Sequence, residues 1–232
     1  MERREFTRAL VWGGAAPAFW APWAAAHAAD LSETDAAAGV RAALERGALA
    51  AVALLGKTDG FLRNALVRIP LPGYLNDAGK LLRAAGQGKR LDELVRTMNR
   101  AAESAVPAAK PLFVQAVKAA SVDDALKVIR GGSTSVTDFF AGKTRAPLST
   151  SFLPIVAQAT QKLSLAERYN SVAAKAASLG LVKGDDTSIE RYVTGRALNG
   201  LFLMIGEEEK KIRADPVKTG SALLKKVFAR NP

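Results

Sequence analysis

The chain has 232 residues, 49% hydrophobic and 24% charged, a composition that folds rather than one that stays disordered. Lys+Arg 33 against Asp+Glu 22 gives a net charge of +11, and there is no Cys. The one His and all three Trp fall within the first 28 residues, so beyond them a Ser-His-Asp triad, a Cys nucleophile and an imidazole or thiolate metal site are excluded.

The opening segment reads as an export signal. Charge comes first, in Glu2, Arg3, Arg4, Glu5 and Arg8. An apolar stretch from Ala9 to Ala26 follows, broken by Gly13, Gly14, Pro17 and Pro22, and it ends in Ala26-His27-Ala28. That is the order of a secretory signal with a small-x-small cleavage site. Its breakers argue against a membrane span, which needs roughly 20 uninterrupted apolar residues. Arg3-Arg4-Glu5-Phe6 has the form of a twin-arginine signal. The expectation is a cleaved signal over 1–28 and one periplasmic domain over 29–232. Removing residues 1–28 leaves 30 basic and 20 acidic residues. About 204 residues bury a sufficient core without a disulfide.

The rest reads as helices. Ser32 with Asp35 opens the first, and Val40, Leu44, Ala48, Ala51 and Leu55 follow at steps of three and four. Gly56 closes it. Lys57 to Pro72 is irregular, with Asp59-Gly60 and the alternating prolines of Val67-Arg68-Ile69-Pro70-Leu71-Pro72. A short helix is predicted over Tyr74–Ala85. Leu91, Leu94, Val95, Met98, Ala102 and Ala105 stripe the next. Pro107 ends that helix and starts another, running to Ala120. Ser121 with Asp124 caps a helix to Arg130, stopped by Gly131-Gly132. Ser133 opens one carrying Phe139 and Phe140. A separate helix is predicted over Leu148–Leu163, perturbed by Pro154. Ser164 with Glu167 opens a helix to Leu179. Ser188 opens the longest, to about Ala214, and Asp215-Pro216 starts the last. No stretch alternates as a strand would. The fold class is all-α: a single irregular bundle of about nine or ten helices.

Few side chains in this inventory carry chemistry. Ser171 and Lys175, like Ser221 and Lys225, are four apart, the wrong spacing for a Ser-x-x-Lys hydrolase. There is no phosphate-binding glycine loop, and no cofactor or metal is expected. Carboxylates are the remaining candidate acids. Leu198, Leu201, Ile205 and Ile212 define an apolar face on which Glu208 falls. Glu208 is therefore predicted to point inward, paired with Arg100 or Arg213. Asn99, Arg100 and Glu103 form a second cluster. Arg100 and Glu103 are an i,i+3 pair, read as a solvated ion pair or as a polar face covered by another helix. Glu103-Ser104 matches the start of the lytic transglycosylase Glu-Ser motif, but the Gly-Leu-Met-Gln run expected downstream is absent.

The positive charge attracts polyanions without choosing among them. No nucleic-acid recognition motif occurs, and nucleic acid is not expected as a partner. Anionic lipid or another envelope component is the polyanion at hand in the periplasm. The closing Leu223-Leu224-Lys225-Lys226-Val227-Phe228 stretch is amphipathic and basic.

The chain from 30 to 229 resembles a bacterial family known as domain of unknown function 4197. Its matching stretches are Gly56-Lys57-Thr58-Asp59-Gly60-Phe61, Val67 to Pro72, Met98-Asn99-Arg100-Ala101-Ala102-Glu103, Asp138-Phe139-Phe140, Phe152 to Val156, Tyr192-Val193-Thr194, Gly200-Leu201-Phe202, Glu207-Glu208 and Ile212-Arg213. Arg196 and Asn199 depart from the Lys and Asp that the resemblance leads one to expect. It implies an exported helical protein and no particular activity.

Three functions are open to such a chain. One is a non-enzymatic binder of an apolar or amphiphilic ligand or of an envelope component. Another is a hydrolase using Glu208 or Glu103 as acid. The third is a helical interaction module that uses the Lys57–Pro72 loop as its contact.

Overall fold

Helical spacing in the sequence becomes seven α-helices among the described residues of the computed structural model, which are 33–73, 82–161, 164–178 and 184–215. These are α1 Glu33–Leu55, α2 Gly88–Ala105, α3 Ala109–Lys118, α4 Val122–Arg130, α5 Ser135–Thr160, α6 Ser164–Ser178 and α7 Ile189–Ala214. Single 3₁₀ turns, Val106–Ala108 and Gly184–Thr187, lead into α3 and α7. No strand occurs among the described residues, as the absence of alternating segments requires. The signal over 1–28, most of the helix over Tyr74–Ala85 and the closing helix after Asp215 lie outside them.

Local chemistry accounts for several boundaries. Ser121 and Asp124 form a reciprocal cap: Asp124 N donates to Ser121 Oγ at 3.0 Å and Ser121 N to Asp124 Oδ2 at 3.1 Å. These bonds from Ser121, backbone first, hold the Asp124 carboxyl below its ordinary range, with Lys143 and Lys127 helping. The cap therefore contributes above the unfolded carboxyl pKa and fades as pH falls through the lowered one. Changing Asp124 to Ala removes that carboxylate and is expected to cost about 1 kcal/mol at neutral pH. The cost should shrink in acid, and urea melts at both pH values check it. Ser188 caps α7, its Oγ accepting from Arg191 N at 3.3 Å.

Among the described residues two of the predicted helices are one. α5 runs 26 residues through both Pro147 and Pro154. Each proline removes a hydrogen bond to the carbonyl four residues back. Those carbonyls belong to Lys143 and Thr150, and all four residues are exposed, so the freed carbonyls lie on the solvent side of the helix. The buried residues of α5 are Phe140, Thr144, Leu148, Phe152, Val156 and Thr160. Steps of four advance about 40° each on a 3.6-residue helix, so the stripe winds through about 200°. α5 thereby packs on α2, α3, α4 and α7 at different levels.

At the middle of the bundle is α7, which touches α1, α2, α5 and α6. Between Tyr192 and Ile205 it is buried all round, except at Arg196, Asn199 and Leu203. Phe113 of α3 packs edge-on to Phe140 of α5 at 4.9 Å and to Phe202 of α7 at 6.3 Å. No helix among the described residues is long and apolar enough to cross a membrane.

Candidate functional site

The five singled-out side chains fall in two places. Asn99, Arg100 and Glu103 lie on α2 beneath the Lys57–Pro72 loop. Glu208 and Arg213 lie near the end of α7.

The loop is built around one glycine turn. Asp59 has a φ of 66°, a left-handed conformation that Asp tolerates better than most residues. At Gly60 an added Cβ would meet the Leu55 and Leu54 carbonyl oxygens at 2.6 and 2.7 Å, so only glycine fits. The turn drives Phe61 into the core, fully buried. Burying Phe61 also buries backbone N–H groups that need acceptors. Glu103 supplies them from α2. Its Oε1 accepts from Phe61 N at 3.0 Å and Leu62 N at 3.1 Å. Its Oε2 accepts from Arg100 Nη1 at 2.6 Å, and Arg100 Nη2 bonds Asp59 Oδ1 at 2.6 Å. The Glu103 bond and then the Asp59 bond hold the Arg100 guanidinium more firmly protonated than usual. Asp59 Oδ2 pairs with exposed Arg63 at 3.1 Å.

One turn away, Asn99 treats the loop as a neighbouring strand. Its Oδ1 accepts from Ile69 N at 2.9 Å, and its Nδ2 donates to Ile69 O at 2.9 Å and to Val95 O at 2.7 Å. Pro70 and Pro72 have no N–H to place, so this one amide satisfies much of the extended stretch. Tyr192 Oη donates to Pro70 O at 3.2 Å. Burial pushes that phenol up, against the opposing pull of Arg196 stacked on its ring, and it stays a donor. At Gly200 of α7 an added Cβ would meet Phe61 Cε1 at 2.9 Å and Val67 Cβ at 3.1 Å, so the loop seats on α7 through a missing side chain.

The Arg100–Glu103 pair, expected to be solvated or covered by a helix, is instead covered by the loop, and Glu103 is 4% exposed. Its third partner, Asp59, is 41 residues upstream of Arg100, beyond what helical spacing reveals.

At the second place the expectation for Glu208 is corrected. Glu209 is the buried carboxylate, at 3% exposed, while Glu208 bonds Lys211 beside solvent at 2.7 Å. The apolar residues of α7 surround it, so a wheel drawn through four of them does not choose between adjacent positions. Glu208 lies over Gly47 of α1, and Glu209 faces the α4–α5 junction. Arg213 pairs with Glu209, not with Glu208: its Nε is 2.9 Å from Glu209 Oε1. Glu209 Oε2 accepts from Val136 N at 3.2 Å and so caps the start of α5. Arg213 Nη2 donates to Val128 O near the end of α4 at 3.0 Å and to Ser135 Oγ at 2.8 Å. This cluster joins helix ends.

Both buried carboxylates are thus occupied as acceptors, with no oxygen turned to an open cleft. Beside Glu209, Val40, Leu44, Val128 and Ile205 line an apolar space of about 20 Å³, room for one water. Among the described residues no group of three His, Cys, Asp or Glu comes together to hold a metal ion. An open groove between α4 and α5 carries Asp124 and Asp138 with Lys127 and Lys143, so its charge selects no ligand.

No match is found among curated proteins or among solved structures. The family described as "Protein of unknown function (DUF4197)" matches over residues 30–229. That span takes in the Gly56–Phe61 turn, the Val67–Pro72 stretch and the Asn99–Glu103 clamp that holds them, and the chain belongs to this family.

Proposed function

We propose that this chain is a non-enzymatic recognition module, exported to the periplasm, that presents the Lys57–Pro72 loop to a macromolecular partner. One observation carries the reading. Two wholly buried or nearly buried polar side chains of α2, Asn99 and Glu103, are both devoted to holding this single irregular segment. Buried polar groups weaken a core unless fully bonded, and here their bonds immobilise a loop. A loop fixed before binding loses less entropy when a partner docks.

The outward side of the loop suits contact. Leu66 is 62% exposed, and Lys57, Arg63 and Arg68 of the same loop are exposed as well. The apolar space beside Glu209, about 20 Å³, is too small for an acyl chain, and the larger open groove between α4 and α5, about 520 Å³, is lined by charges of both signs. The occupied state of Glu103 and Glu209 weighs against a hydrolase using either as its acid.

Deleting the loop would remove Phe61 and Ile69 from the core, so point changes on its outer side are the proper test. Full-length wild type and the Leu66→Asp and Arg63→Glu variants are crosslinked in envelope extract, and captured components are quantified. The expected result is at least a tenfold loss of the main captured component in both variants, with unchanged melting temperatures. Identical capture by all three proteins would sink the reading.

A further inference from the structure

Where the loop meets α7 there is a groove of about 140 Å³. It is well under the roughly 300 Å³ of a small-molecule pocket, and it has the scale of one side chain from a partner. Leu66 of the loop and Leu203 of α7 line it, and they are the exposed large hydrophobic residues of the described chain, at 62% and 43%. Two cations line it as well, Arg68 and Arg196, and no acidic residue does.

The exposure of Leu203 has a definite setting. Along the middle of α7 every residue is buried except one stripe, Arg196, Asn199 and Leu203, and all three line this groove. The core helix thus reaches the surface at the place where the clamped loop lies beside it. The guanidinium of Arg196 is stacked 5.2 Å over the Tyr192 ring, which orients its plane before any partner arrives. Next to the stripe, Arg145 bonds Asn199 Oδ1 at 2.8 Å and stacks on Phe202 at 5.1 Å.

We propose that this groove receives a peptide segment of a protein partner in which a carboxylate stands beside a large apolar side chain. The apolar side chain enters between Leu66 and Leu203, and the Asp or Glu takes the guanidinium of Arg196 or Arg68. Oriented guanidinium groups match a carboxylate in two parallel hydrogen bonds, and a concave apolar slot encloses one anchor residue. A flat, fluid lipid surface gains little from either feature. The proposal rests on the loop being a recognition surface, and it names the chemistry of what is recognised.

The test pans a random 12-residue peptide library on the full chain. Recovered peptides are expected to carry Asp or Glu within three positions of Leu, Ile, Met, Phe or Trp. The best of them, synthesised, should bind at least tenfold more weakly to Arg196→Glu and to Leu203→Asp, and more weakly as salt rises. Both positions are exposed, and thermal melts confirm that the variants fold. Failure to enrich any peptide, enrichment of peptides without acids, or affinity unchanged in both variants overturns the proposal. Vesicles of phosphatidylglycerol are the parallel arm. Binding to them that Arg196→Glu abolishes, with no peptide enriched, overturns it in favour of a membrane surface. In envelope extract, capture lost in Arg63→Glu but intact in both α7 variants leaves the loop reading standing and removes the groove. Capture intact in Arg63→Glu and Leu66→Asp removes the loop reading itself.

Discussion

Changing Asn99 to Asp is expected to lower the free energy of unfolding by about 4 kcal/mol, more than Asn99→Ala, although the shape hardly alters. The Asn99 amide uses both ends: Oδ1 receives the Ile69 N–H, and Nδ2 gives to the Ile69 and Val95 carbonyls. A carboxylate keeps the first bond and aims its second oxygen at two carbonyl oxygens, in a site with no solvent exposure. Alanine leaves the Ile69 N–H and C=O unpaired but introduces no charge, for about 2 kcal/mol. Burial opposite carbonyls raises the new carboxyl above its unfolded value, so the protonated form is favoured in the folded state. The deficit should therefore shrink as pH falls toward the ordinary carboxyl range and grow above it. Urea unfolding of the three proteins at neutral and acid pH measures this. An Asn99→Asp protein as stable as Asn99→Ala at neutral pH would mean that the amide is not bonded as described.

The second large effect belongs to Glu103. Glu103→Ala is expected to cost about 3 kcal/mol, because it orphans the Phe61 and Leu62 N–H groups together. Glu103→Gln keeps an amide oxygen for those two donors, but its NH2 group then faces Arg100 Nη1, so the bond to Arg100 is lost and the guanidinium must turn aside. That guanidinium is 37% exposed and still holds Asp59, so solvent screens much of the difference and about 1 kcal/mol is expected. Native-state hydrogen exchange separates the two roles. Protection at Phe61 and Leu62 should collapse in Glu103→Ala and persist in Glu103→Gln. Equal costs for the two variants would assign the stabilisation to the Arg100 contact instead of the backbone bonds.

What the sequence revealed and what it hid follow from the range of each interaction. Ser121 with Asp124, and Ser188 ahead of α7, are legible because a cap is complete within four residues. The Arg100–Glu103 pair is legible for the same reason, but its burial is not. The cover comes from a loop some 40 residues upstream, and the Asp59-Gly60 turn is its only local trace. The prolines of α5 read as a break because proline usually is one. Whether it breaks a helix depends on whether the freed carbonyl meets water, and that is a tertiary fact. Glu208 and Glu209 show the complementary limit. An apolar face orients a helix only when the opposite face is polar, and α7 has almost no opposite face through its middle.

The position of α7 also sets an order of events. Its residues, 189 to 214, are the wall against which α1, α2, α5 and α6 close, and all four precede it in the chain. A chain made from its N-terminus at about 5–20 residues per second passes some ten seconds or more without the helix that its apolar faces require. Until it arrives Leu44 of α1 lacks Ile205 of α7, which lines the same apolar space. The nascent protein is thus held open by its own topology, and its assembly waits on the arrival of a single late segment.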